Sequence, residues 1–196
     1  MQIDQNLSNF SDIAVQTSFV IYALALVLSL IYYGRMQGLI EALRSRSDAV
    51  AQQREYAAVG ARGGDAVLGD VPPATTAAED ADVAKKEQNV DKLGGMMQML
   101  MWLGIALHLA AIVLRGLATG RFPFGNLYEY VLMVTAGVMV VATLAMQRKE
   151  WRTLWPWLLT PILALMFYGS TKLYAESAPV VPALQSHWLP IHVTVV

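Results

Sequence analysis

Ile13-Ala-Val-Gln-Thr-Ser-Phe-Val-Ile-Tyr-Ala-Leu-Ala-Leu-Val-Leu-Ser-Leu-Ile-Tyr-Tyr33 decides the fold class. The run holds no Asp, Glu, Lys or Arg. A bilayer core about 30 Å thick takes roughly 20 apolar residues of helix. Backbone groups in lipid must bond internally, so the run reads as a membrane helix. Asp4 and Asp12 precede it and no basic region does. Its apolar stretch exceeds the roughly 7–15 residues of a signal peptide core, so it reads as an anchor rather than a cleaved leader.

Two further stretches of similar character run from about Met97 to Leu117 and from about Tyr130 to Met146. A fourth, Trp155 to Gly169, is shorter. Pro156 suits its first turn, and Pro161 inside it predicts a kink. A fifth apolar run starts at Trp188 and reaches Val196. Nine residues cannot cross a bilayer, and carbonyls left open in lipid cost several kcal/mol each. The fifth helix is therefore expected to continue in a longer parent protein. The predicted fold is an all-α, polytopic membrane helix bundle with four transmembrane helices and the start of a fifth. Residues 1–34 form the first helix, 35–96 a cytoplasmic loop, and 97–196 helices two to four, outer loops and the start of helix five.

Composition agrees. Of 196 residues, 56% are hydrophobic and 15% charged, against about 45–50% and 25% for a soluble domain. The net charge of −1 gives no sign of a nucleic-acid partner. The lipid bilayer is the first partner implied. The chain has no cysteine, which excludes disulfides, thiolate metal sites, CxxC redox chemistry and a CxxCH haem attachment site of its own.

Basic residues orient the chain. Arg35, Arg44, Arg46, Arg54, Arg62, Lys85, Lys86 and Lys92 lie between helices one and two, and Arg148, Lys149 and Arg152 between helices three and four. Arg115, Arg121 and Lys172 fall on the other side. The positive-inside rule makes the first group cytoplasmic and the N-terminus extracytoplasmic. Tyr32, Tyr33, Trp102, Trp151, Trp155 and Trp157 near the inner face read as one aromatic belt. Tyr128, Tyr130, Tyr168, Tyr174 and Trp188 read as the outer one. Within the loop, Met36 to Tyr56 reads as a short helical extension. Gly60 to Ala84, rich in Ala, Gly and Asp with Pro72-Pro73, reads as a disordered linker.

Few residues could carry chemistry. His108 lies mid-helix, where a polar side chain is expensive. It is either a site residue or a neutral imidazole bonded to a neighbouring helix. His187 reads as a solvated loop residue. His192, just after Pro190 at the outer end of helix five, is a candidate ligand for haem iron or another transition metal. Arg115 and Arg121 are scarce outer cations. They either pair with an anionic ligand group or extend to the headgroups. Glu129 heads helix three, where the dipole favours a carboxylate. The cluster Met96, Met97, Met99 and Met101 reads as lipid-facing packing. No catalytic triad or paired carboxylates are visible, so no catalytic residue is assigned.

Two segments carry a resemblance. Arg115-Gly-Leu-Ala-Thr-Gly-Arg-Phe-Pro-Phe-Gly-Asn-Leu-Tyr-Glu129 and Val181-Pro-Ala-Leu-Gln-Ser-His-Trp-Leu-Pro-Ile-His-Val193 resemble the CcsA family of c-type cytochrome biogenesis proteins, called ResC or CcsB in some bacteria. The first matches a P-x-x-N-x-Y-E segment that opens one helix. The second matches P-x-L-Q-S-x-W-x-x-I-H-V, which opens a later one. The resemblance covers about residues 97–196.

It implies a multi-pass protein of the bacterial plasma membrane that binds or exports haem b. With a ResB-type membrane partner, such a protein presents haem at the outer face for attachment to the CxxCH cysteines of apocytochrome c. His192 is then the axial haem ligand candidate, and Arg115 and Arg121 are candidates for propionate pairing. The family's tryptophan-rich external segment and second external histidine are not found up to Val196. The chain is accordingly expected to be a component of a holocytochrome c synthase and inactive alone. A transporter or channel segment, and a membrane scaffold without a site, are the competing readings. No internal repeat supports the former.

Overall fold

The computed structural model describes residues 5–62 and 77–174. Four α-helices follow one another: α1 (Gln5–Arg62), α2 (Ala77–Thr119), α3 (Leu127–Ala145) and α4 (Trp155–Lys172). A 3-10 helix, Lys149–Leu154, leads into the last. Among the described residues there is no strand. Three helices are long and apolar enough to cross a membrane: Gln5–Tyr56, Ala78–Thr119 and Leu127–Ala145. Helix α4 is not among them. Residues 175–196, with His187, His192 and the fifth apolar run, lie outside the described residues.

The chain divides into two compact units, residues 1–29 with 96–196, and residues 30–95. The first holds the core. Along its part of α1 the buried residues are Ser8, Ser11, Val15, Ser18, Tyr22, Ala25 and Ser29. Their spacing alternates three and four, the repeat that keeps one seam of a helix against a partner. The seam is mostly Ser and Ala, small enough to let helix backbones come close in lipid. Its hydroxyls are not left open. Ser11 donates to the Ala111 carbonyl of α2 at 2.8 Å, and Ser18 and Ser29 donate to the carbonyls of Val15 and Leu26. Tyr22 fits only because Gly104 faces it, since a Cβ there would lie 2.6 Å from the ring.

From α2, Met97, Met101, Ile105 and Ala111 enter the same core. Tyr128, Leu132, Ala136 and Met139 enter it from α3, and Trp155, Leu159 and Met166 from α4. The methionine cluster thus divides, with Met97 and Met101 buried and Met96 and Met99 exposed. The aromatic belts divide too. Trp151, Trp157, Tyr168 and Tyr174 are exposed, whereas Trp155 and Tyr128 are core residues. Their rings are large apolar surfaces, and burial against neighbouring helices outweighs an interfacial position.

The second unit, residues 30–95, buries Tyr32, Leu39, Val90 and Leu93. Arg46 and Asp80 pair at 2.9 Å with both side chains nearly half exposed, an arrangement worth little in stability. Residues 36–56 are helical, as the sequence suggests. Residues 77–84 are helical as well, which corrects the linker reading at that end. Ala is the best helix former, and Glu79 and Asp80 sit in the first turn where the dipole favours them. Compositional bias was the wrong guide once the breakers Pro72 and Pro73 were passed.

Candidate functional site

The site is assembled where α2 ends and α3 begins. Gly120 stops α2. Its φ of 61° is left-handed, the conformation glycine adopts without strain. The Gly120 N–H donates to the Leu117 carbonyl and the Arg121 N–H to the Gly116 carbonyl, both at 3.2 Å. These two bonds form a Schellman turn, and they deliver Arg121 directly beside the last turn of α2.

Asn126 starts α3. Its backbone is extended, and its side-chain oxygen accepts from the Glu129 N–H at 2.8 Å. That satisfies one of the free N–H groups of a helix start. The Glu129 carboxylate reaches back and accepts from the Gly125 N–H at 2.7 Å. Asn126 is thus the cap of α3, while Glu129 stands in the first turn, where the dipole favours a carboxylate, and ties down the chain just before the cap.

Glu129 is buried at the centre of an ion cluster. Arg115 Nε donates to its Oε1 at 3.2 Å. Arg121 donates to Oε2 at 2.9 Å and to Oε1 at 3.3 Å. The Arg115 and Glu129 side chains are 1% and 0% exposed, while Arg121 keeps 19%. Asp12 of α1 closes the far side, accepting from Arg115 at 3.1 Å and from the Tyr174 hydroxyl at 2.6 Å. The Arg115 guanidinium also lies over the Tyr128 ring, 4.9 Å from its centre, and Tyr174 meets the same ring edge-on. Two carboxylates and two guanidiniums leave the group formally neutral. A buried charge is tolerated on these terms, paired and multiply hydrogen-bonded.

The geometry gives three of the four fixed positions of the P-x-x-N-x-Y-E segment a physical task. Asn126 caps, Tyr128 stacks on Arg115, and Glu129 holds both arginines. Gly125 has one as well. A Cβ there would collide with the Arg121 guanidinium, so the bare backbone makes the place in which that side chain lies.

Of the two arginines singled out in the sequence, Arg115 is deeply buried rather than extended to headgroups. Arg121 remains partly accessible. His108 stands apart from both. It is fully buried in α2, with the Tyr22 ring edge-on at 6.0 Å. The Leu132 main chain lies beside it, yet neither ring nitrogen makes a hydrogen bond of ordinary geometry. The Leu132 main chain of the neighbouring helix α3 is the group placed to bond it. No group of three or more His, Asp or Glu placed to hold a metal ion occurs among the described residues.

Asp12 and Tyr174 were not foreseen as site residues. Asp12 lies in the third turn of α1, too far in for the helix start to favour a carboxylate. That misplacement was the available signal.

Several curated proteins are similar to the chain. A cytochrome c biogenesis protein CcsA of Synechococcus sp. (strain JA-3-3Ab) is 37% identical over 112 residues, covering 50% of this chain and 32% of its own length. The CcsA of Porphyra purpurea is 29% identical over 109 residues, 54% of this chain and 33% of its own length. That of Picosynechococcus sp. (strain ATCC 27264 / PCC 7002 / PR-6) is 39% identical over 88 residues, 41% and 25%. The chain spans about a third of the length of the curated relatives it matches. No family model and no solved structure matches it.

Proposed function

Starting from a chain homologous to the CcsA cytochrome c biogenesis proteins over about half its residues, we propose that it serves cytochrome c biogenesis as a membrane subunit that handles haem. Haem is its cargo, presented at the outer face for attachment to the CxxCH cysteines of apocytochrome c. The lack of cysteine in this chain suits that division of labour, because the thiols that bond the haem belong to the apocytochrome. A ResB-type protein is the proposed membrane partner, and the bacterial plasma membrane the proposed location.

The observation that carries the proposal is the Glu129 cluster. The family-like segment around it is not a passive loop, for it holds a guanidinium at the end of the bundle. Arg121 keeps 19% of its side chain exposed, with Arg115 beneath it on the same Glu129, and a guanidinium is the side chain best suited to a carboxylate. Haem propionates are such carboxylates. His192 is the proposed axial ligand, since neutral imidazole binds haem iron. The proposed topology has four membrane helices, the start of a fifth and an extracytoplasmic N-terminus. It puts residues 118–129 and His192 on one side.

The test is haem co-purification with the intact protein, with and without His192→Ala, in cells that report holocytochrome c. Loss of both haem and holocytochrome is expected. Retention of both would remove His192 from the proposal. Retention of haem by Arg121→Gln would remove the propionate contact.

A further inference from the structure

Asp12 is an unlikely residue for its place. Aspartate is a poor helix former, and α1 would be more stable locally with almost any apolar residue there. The compensation is tertiary. Ser11, next to it, is fully buried and donates to the Ala111 carbonyl at 2.8 Å, which pins this turn of α1 against α2. One turn further along α2 stands Arg115, and the pinned turn brings Asp12 Oδ1 to 3.1 Å from it. The other oxygen, Oδ2, accepts from Tyr174 at 2.6 Å. Tyr174 follows the end of α4 and precedes, in sequence, the segment that carries His187 and His192.

One carboxylate thus links two paths. Through Arg115 and Glu129 it reaches Arg121. Through Tyr174 it reaches the chain just beyond α4. We infer that Asp12 is a positioning residue for the haem site, holding the arginine side and the α4 end in one fixed relation. This rests on the haem-handling reading above. A neutral amide at residue 12 would still fill the space. It would not balance the Arg115 charge, and its bond to the Tyr174 hydroxyl would no longer be charge-assisted.

The experiment compares Asp12→Asn, Asp12→Glu, Tyr174→Phe and the double variant Asp12→Asn with Tyr174→Phe in the intact protein. Haem retained through purification and the visible spectrum of that haem are measured together. Asp12→Asn is expected to lower retained haem about three- to tenfold, the difference between a charge-assisted bond and the neutral one that the amide keeps. It is also expected to shift the absorption band of the haem that stays. Tyr174→Phe should give part of the same loss, the double variant no more than Asp12→Asn alone, and Asp12→Glu a recovery.

An unaltered spectrum with only less folded protein overturns the positioning role. So does unchanged haem in Asp12→Asn where His192→Ala is empty, and that result leaves the haem reading standing. Wild-type protein that never retains haem overturns both. Where Asp12→Asn fails to fold, Tyr174→Phe at its exposed position carries the test. The chain has no native cysteine, so Asp12→Cys with Tyr174→Cys should cross-link through a short bifunctional thiol reagent. Absence of that cross-link overturns the link itself.

Discussion

Arg115 and Asp12 are 103 residues apart in the chain and 3.1 Å apart in space, and the guanidinium that joins them is 1% exposed. The same guanidinium reaches Glu129. Such a pair is weak evidence of net stabilisation, because Arg115 lost its hydration and Asp12 much of its own, but breaking it leaves a buried charge alone.

Glu129→Ala is therefore expected to destabilise the folded protein by about 3–5 kcal/mol. The check is thermal unfolding of the purified protein in detergent. Glu129→Gln, which keeps shape and a hydrogen-bond acceptor, should fall between Glu129→Ala and wild type. Equal stability of all three would mean the ion cluster does not form.

Asn126→Ala removes the acceptor that satisfies the Glu129 N–H. A loss of about 1 kcal/mol is expected, with Asn126→Asp close to wild type. Unfolding midpoints of the three proteins decide it. The carboxylate at residue 126 would stand near Glu129, so any shortfall of Asn126→Asp should shrink at low pH, where carboxylates are protonated.

Gly125→Ala tests the resting place of Arg121. The added methyl occupies the position of the guanidinium, which must then leave Glu129. The fold should survive, because a flexible side chain is what moves. Helix content by circular dichroism is expected to stay constant while haem retention falls to the level of Arg121→Gln. Full haem retention would separate Arg121 from haem binding.

Tyr22→Phe carries the opposite sign. The Tyr22 hydroxyl is buried and has no hydrogen-bond partner. Removing it spares the cost of an unsatisfied polar group, about 1–3 kcal/mol. The variant is expected to be at least as stable as wild type. Gly104→Ala, by contrast, overpacks the same contact and should cost about 1–3 kcal/mol. A less stable Tyr22→Phe would reveal a bond to that hydroxyl.

The helices were legible in the sequence because hydropathy is a local property. So was the importance of the segment from Arg115 to Glu129, through its resemblance to a known family. The joining of Asp12 to that segment was not, since nothing local ties a carboxylate in α1 to an arginine at the end of α2. The buried seam of α1 was hidden for a different reason. Its repeat is written in Ser8, Ser11, Ser18 and Ser29, and a hydropathy average treats those as the weaker positions of an apolar helix. The aromatic rings show the converse error. Trp155 and Tyr128 stand where interfacial anchors belong along the chain, but the side of the helix they occupy is fixed by packing. His192 lies outside the described residues.

The seating of Arg115 also bears on how the chain is built. A ribosome makes Asp12 first, Arg115 later and Glu129 last. When the second hydrophobic helix leaves the translocation channel, its arginine enters a setting where an unpaired cation is costly. Helix α1, made before α2, can offer Asp12 as a temporary counter-ion until α3 brings Glu129. An acidic residue made ahead of the arginine would then accept the incoming charge during synthesis and share it once assembly is complete.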